Sequence, residues 1–378
     1  MYQVYQKPLR GKSVGVVFGT FAPLHQGHLD LIYRAKKEND GGVLVICCGN
    51  DTDDKGCEVG LPLTKRYRYM REFFKDDDLV SVNAIPDIGT ITYSYENWQP
   101  WLEEFRKIWA EAVIAEEPLI IANDFWYVSE QLYHDDLKRL GKNVVLVDRT
   151  KNPISGTMIR NNPIKYWNKI ALPFRREFSH NILIIGTASE GKTTLMQDLA
   201  KYFGTSHAHE WPRDYIEKHC IADWEFTGME FLNFLIGQRE HTEDQIASPM
   251  NNGVFFCDTD AAITAMYAKK YAQDNECTMR NWEYSRMIGP VADYITDHSR
   301  WNKIFFLTPG SDFVDDHSRF MKHAEMKERE NMCEWLKRYI ENTYWAEDIT
   351  FLPGGDYLGN FETIKNYAKE IYENAYVD

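Results

Sequence analysis

Residues 14–32 read VGVVFGTFAPLHQGHLDLI, and the change of character within that stretch decides the fold. The run Val14 to Phe18 is short, apolar and rich in β-branched side chains, which predicts a buried strand. Gly19 ends it. Leu29, Leu31, Ile32 and Ala35 then recur at helical spacing. A strand that turns directly into a helix is the opening unit of a parallel α/β sheet. The turn itself suits an anion, because a glycine permits close backbone approach and a helix start presents N–H groups and the positive end of its dipole. Gly19, Thr20 and Phe21 are therefore candidate nucleotide-binding residues. His25 and His28, three residues apart at the helix start, can both donate to the oxygens of a triphosphate and stabilise charge as the α-phosphate is attacked.

The same alternation extends outward. Apolar runs at Val43 to Cys47, Leu119 to Ala122 and Val144 to Val147 predict further strands of this unit. A second series follows at Ile182 to Ile185, Val254 to Cys257, Ile304 to Leu307 and Ile349 to Leu352, with helical patterns at 194–203 and 227–246. The reading is α/β throughout, with a Rossmann-like N-terminal domain over 1–170 and a P-loop α/β domain over 171–378, joined in the Pro-interrupted stretch between Arg160 and Ser179. With 378 residues, 44% hydrophobic and 26% charged, two globular cores are the natural expectation. A net charge of -14 argues against a broad nucleic-acid face. The chain has no apolar run long enough for a signal peptide or membrane span, so a cytoplasmic protein is expected. The seven cysteines include no C-x-x-C pair, which argues against a disulfide framework or structural zinc. A homo-oligomer is compatible with all of this.

In the second half, the predicted strand NILII leads into Gly186-Thr187-Ala188-Ser189-Glu190-Gly191-Lys192-Thr193-Thr194. This is the pattern G-x-x-x-x-G-K-[ST] between a strand and a helix, the context in which backbone N–H groups ring phosphates. Gly186, Glu190, Gly191, Thr193 and Thr194 are taken as nucleotide-binding positions. Lys192 would neutralise the β- and γ-phosphates and Thr193 would bind Mg2+. Asp258, first after the apolar run Val254 to Cys257, is the expected second metal carboxylate. Asp260 is read as a substrate contact or a helix cap. Arg319, after the strand KIFFL, is a candidate lid arginine. The block Glu210-Trp211-Pro212-Arg213-Asp214-Tyr215 concentrates charge and aromatic surface and suits an acceptor pocket. In the first half, Trp98 lies in a polar, loop-like segment where an indole could stack on a flat substrate. Arg66 either reaches the site or is solvated, and Asp51 to Asp54 read as a solvated loop in preference to a ligand contact.

Ile154-Ser155-Gly156-Thr157-Met158-Ile159-Arg160, taken with H-x-G-H, resembles the nucleotidylyltransferase superfamily. The resemblance implies that Ser155, Thr157 and Arg160 hold the pyrophosphate side of ATP, with His25 and His28 at the other motif. From about Val14 onward the chain is similar to the NadR family of bifunctional nicotinamide-nucleotide adenylyltransferases and ribosylnicotinamide kinases. That similarity rests on G-T-F-x-P-x-H-x-G-H, the I-S-G-T element, Asn162-Pro163-Ile164-Lys165-Tyr166-Trp167, the Walker loop, the 210–215 block and Asp258-Thr259-Asp260. It implies small-molecule partners: nicotinamide riboside, NMN, ATP and NAD, with ATP the co-substrate of both halves. Glu210 and Asp214 would then bind ribose hydroxyls or take the proton, while Arg213 and Arg319 would stabilise phosphoryl charge.

Two departures stand out. About a dozen residues precede the first strand, so the helix-turn-helix repressor domain of some family members, and DNA binding with it, are expected to be absent. Glu190 places an acid in the phosphate loop, where it is expected to weaken ATP binding. The phosphate motifs do not by themselves name the acceptor. An adenylyltransferase fused to a kinase of another vitamin pathway, or a nucleotide sensor without turnover, therefore stays open at this point.

Overall fold

The computed structural model describes residues 6–86, 98–114, 122–148, 153–314, 325–344 and 348–377. They form two compact units, the first ending at Phe178 and the second beginning at Ser179. The expected boundary at 170/171 moves to 178/179 because Ile170, Ala171, Phe174 and Phe178 pack into the core of the first unit.

The first unit is a five-stranded parallel sheet in the order Val80–Pro86, Val43–Gly49, Ser13–Gly19, Asn123–Val128, Asn143–Leu146. Its direction of winding reverses beside Ser13–Gly19, and in such sheets ligands bind at the carboxyl end of the strands at that reversal. The quoted stretch emerges there. Alternate residues serve opposite faces: Val43, Val45 and Cys47 pack with the helix Gln26–Glu38. Leu44 and Ile46 pack instead with Trp98, Trp101 and Phe105 of the helix Trp98–Ala112.

The expected run Leu119 to Ala122 falls almost wholly outside the described residues, and the strand Asn123–Val128, NDFWYV, that follows it was not anticipated. Its Asn-Asp start looks like a turn, while the aromatic residues that follow carry the strand preference. Val80–Pro86, VSVNAIP, was not anticipated. Ser81 and Asn83 disguise it, although both are buried.

The second unit is also a five-stranded parallel sheet, ordered Ile349–Pro353, Lys303–Thr308, His180–Gly186, Val254–Cys257, His207–Ala208. Leu183, Ile185, Phe255 and Phe306 fill one face, and Ile182, Ile184, Phe256 and Phe305 the other. The phosphate loop leaves the central strand and enters the helix Lys192–Phe203. Among the described residues, no helix is long and apolar enough to cross a membrane.

Candidate functional sites

In the first unit, the strand Ser13–Gly19 ends beside a strained turn. Phe21 adopts a left-handed φ of 50° although it carries a side chain, a conformation that persists only where the surroundings enforce it. Its ring is buried and meets the His28 ring edge-on at 4.9 Å. Phe21 thus offers backbone rather than side chain to a ligand. His25 is buried at the N-cap of Gln26–Glu38, and its ring stacks on that of His28 at 3.7 Å with 24° between planes. The first turn of this helix carries no acidic residue, so its dipole end is available to an anion.

The downstream motif is brought onto this turn. Ser155 caps the helix Gly156–Asn161, its hydroxyl accepting from the Met158 N–H at 3.2 Å. Arg160 Nη1 donates to the Ala22 carbonyl at 2.7 Å and Nη2 to Thr157 Oγ1 at 3.0 Å. The two motifs also touch through Gly27, where a Cβ would lie 3.1 Å from Ile154 Cγ2 and 3.3 Å from the His25 ring. The glycine of H-x-G-H is therefore closely packed between the two motifs. Partial burial, and then the Arg160 guanidinium, lower the pKa of Lys55. This second cation near Arg160 was hidden inside an acidic run.

Three other positions have structural roles. Arg66 is wholly buried, pairs with Asp54 and donates to the carbonyls of Cys48 and Leu61, locking the loop between them. It is not solvated, and Asp54 is likewise part of that lock. Trp98 lies in a helix rather than in a loop. Its indole N–H donates to Asp136 at 3.3 Å and its ring packs on Phe18, Trp101 and Tyr133. The structure uses this residue as core, with 9% exposure left.

In the second unit, Gly186 has a φ of 155°, and a Cβ there would lie 2.5 Å from the Leu307 carbonyl oxygen. Gly191 caps the following helix from the left-handed region. Lys192 Nζ donates to the Thr187 carbonyl across the loop at 2.7 Å, and Thr194 is exposed on the first turn. The Thr193 hydroxyl donates to Asp258 Oδ2 at 2.6 Å. Asp258 is 1% exposed, and its other oxygen has no hydrogen-bond partner among the described residues. Burial, and then the nearby Glu210, push its carboxyl up to about 6, against the opposing pull of Thr193 and Lys192. A buried carboxylate with a vacant oxygen beside a threonine hydroxyl is a donor set suited to a hard divalent cation. Asp260, by contrast, is a cap. Its Oδ1 accepts from the N–H groups of Ala262 and Ile263, and its Oδ2 from the Tyr344 hydroxyl.

Glu190 corrects a second expectation. Its carboxylate turns away from the phosphate position, pairs with the buried Arg329 and accepts from the N–H groups of Gly310 and Ser311. Arg329 Nη1 also donates to the Ser311 carbonyl at 2.8 Å and Nη2 to the Ala188 carbonyl at 3.1 Å. The acid is neutralised and does not repel a nucleotide. Arg319, the proposed lid arginine, lies outside the described residues. Removing the Glu190 carboxylate would leave a buried guanidinium without its counter-charge, at a cost of about 3–5 kcal/mol. Glu190→Ala is thus expected to lower the melting temperature of this unit sharply, and Glu190→Gln, which still accepts hydrogen bonds, less so. Melting of the alanine variant at the wild-type temperature would contradict this account.

A cavity of about 240 Å3 runs from the phosphate loop into the unit. Thr187, Lys192, Glu210 and Arg213 line one part, and Asp223, Phe226, Phe231 and Tyr271 another. Glu210 and Arg213 thus sit where an acceptor pocket was expected, 3.6 Å apart as an ion pair. Asp214 does not line the cavity and pairs with His209 at 2.8 Å. Sequence reasoning missed the aromatic residues and Asp223. Their signal, five aromatic rings spread over 226–271, becomes visible only when two helices meet.

Comparison with known proteins matches residues 16–162 to a cytidylyltransferase-like family and 181–345 to an AAA domain family. The trifunctional NAD biosynthesis/regulator protein NadR of Salmonella typhimurium is 33% identical over 274 residues, covering 70% of this chain and 64% of that protein. The NadR of Escherichia coli is 32% identical over the same shares. The chain therefore spans about 64% of the length of these curated relatives. A crystal structure of a NadR protein in complex with NR is 30% identical, covers 99% of both chains and superposes with a TM-score of 0.80. A second, in complex with NAD and AMP-PNP, is 29% identical, covers 97% of this chain and 98% of the other, and has a TM-score of 0.78.

Proposed function

Since the chain belongs to the NadR family, we propose that it is a cytoplasmic bifunctional enzyme that makes NAD from nicotinamide riboside in two ATP-dependent steps. The second unit phosphorylates the riboside to NMN, and the first joins NMN to the adenylyl group of ATP. The observation that carries this reading is the cavity that starts at Lys192 and ends among aromatic rings. It gives a nucleoside both a phosphate donor and a place for its base.

In the kinase step, the ribose 5′-oxygen attacks the γ-phosphorus. One P–O bond forms, the bond to the β-phosphate oxygen breaks, and the hydroxyl proton must leave. Glu210 lines the cavity beside Lys192 and is the group we assign to take that proton, since Asp214 is held by His209. Lys192 and Arg213 spread the phosphoryl charge. Mg2+ bound with ATP would be held by Thr193 and Asp258 and would supply charge neutralisation at the phosphates. In the adenylyl step, an NMN phosphate oxygen attacks the α-phosphorus and pyrophosphate departs, so no protein nucleophile is required. His25 and His28 stabilise the attacked phosphate, while Ser155, Thr157 and Arg160 hold the leaving side.

Incubation with nicotinamide riboside, ATP and Mg2+ is expected to yield NAD, with ADP and pyrophosphate as co-products. A protein that forms neither NMN nor NAD refutes the reading. The sensor alternative loses its motive, because Glu190 faces Arg329 rather than a phosphate. A pH dependence also follows. With the Asp258 carboxyl at about 6, protons compete with the cation below that value and not above it. The Mg2+ concentration giving half-maximal ADP formation is expected to rise as pH falls from 7 to 5, and a pH-independent value would count against Asp258 as a ligand.

A further inference from the structure

The helix Ala261–Gln273 works as a ruler along the kinase cavity. Ile263, Thr264, Tyr267 and Tyr271 of this helix all line it. From Ile263 to Tyr271 the helix advances by about 12 Å. The near end is fixed by Asp258 and Thr259, just before the helix, because Asp258 is bonded to Thr193 of the phosphate loop. At the far end, Phe226 lies 5.0 Å from Phe234, 5.7 Å from Phe231 and 6.3 Å from Tyr271, measured between ring centroids. The Tyr271 hydroxyl donates to Asp223 Oδ2 at 2.6 Å, and Asp223 is only 7% exposed. The far end is thus an aromatic cluster with the Asp223 carboxylate built into it.

A nucleoside whose 5′-hydroxyl meets the γ-phosphate must carry its base toward that end. Aromatic faces attract cations, and more strongly when water is excluded. A carboxylate among them adds to that preference and repels an anion. Resting on the kinase assignment above, we propose that Asp223, held by Tyr271, is a charge filter that selects a nucleoside with a cationic ring and an uncharged substituent. A pyridinium riboside bearing a carboxamide satisfies both conditions, and the amide N–H groups can donate to Asp223. The corresponding carboxylic acid places like charge against like. A riboside with a reduced, neutral ring lacks the attraction.

ADP release from the full chain measures the kinase alone, because the adenylyl step releases pyrophosphate. Wild-type kcat/KM is expected to favour nicotinamide riboside over nicotinic acid riboside by roughly 10–100-fold, a typical penalty for like charges brought together. Asp223→Asn should shrink that ratio by about tenfold, mainly through KM, because the repulsion disappears. Equal wild-type use of the two ribosides, or an unchanged ratio in folded Asp223→Asn, overturns the proposal. If the variant fails to fold by circular dichroism, the wild type decides with the dihydronicotinamide riboside: preference for the cationic ring supports the filter and equal use overturns it. No ADP with any riboside would instead refute the kinase reading itself.

Discussion

Lys192→Ala is expected to abolish NAD formation from nicotinamide riboside while leaving NAD formation from NMN at the wild-type rate. The lysine is the first residue of the helix that follows the phosphate loop, and its ammonium reaches back across the loop to the Thr187 carbonyl. With nucleotide bound, the same reach sets it against the β- and γ-phosphates. Loss of a pre-positioned charge at a site of developing negative charge costs roughly 10²–10³-fold in rate. The fall should appear chiefly in kcat for ADP release. The backbone of the loop is retained, so the fold should survive and the first unit should keep its activity. A variant that still phosphorylates the riboside at more than about a tenth of the wild-type rate would remove Lys192 from the catalytic set.

His28→Ala should produce the mirror image, with NMN accumulating and NAD failing to appear. The imidazole is held by two rings, stacked on His25 and edge-on to Phe21. It therefore stands pre-oriented at a helix N-terminus, where its cost of ordering is already met. Removing one such donor is expected to slow the adenylyl step by about 10²–10³-fold. His28→Asn retains a donor and should recover part of the loss. The measurement is product analysis by chromatography with NMN and with nicotinamide riboside as separate substrates. Normal NAD yield from NMN in His28→Ala would show that this histidine is structural.

The parts of both sites that lie within one short segment were legible in the sequence. H-x-G-H and the Walker loop place backbone N–H groups and side chains at fixed offsets along a strand, turn and helix, so spacing alone reports their arrangement. The placement of Asp258 beside Thr193 was legible for the same reason, the aspartate being the first residue after an apolar run. What escaped depends on partners brought from far along the chain. Glu190 looked like a liability because Arg329, 139 residues later, could not be foreseen as its counter-charge. Asp260 and Trp98 carried ambiguous local signals, and their contacts lie beyond local spacing: one carboxylate oxygen caps a helix and the indole packs in an aromatic cluster. The strand Asn123–Val128 was hidden in the sequence by its polar start. Asp223 and the aromatic end of the cavity left no local pattern, since they come from two helices and a short turn.

The buried pair of Glu190 and Arg329 also constrains how this sequence can change over generations. A single substitution at either position strands the other charge out of water, so each intermediate is less fit than both end states. The two residues can be exchanged for a neutral pair only together, or after a prior gain in stability large enough to carry the intermediate. Lineages that acquired an acid at this point of the loop should therefore keep it, and the arginine with it, as an epistatic unit. A double-mutant cycle would measure the strength of that ratchet as the non-additive part of the two losses.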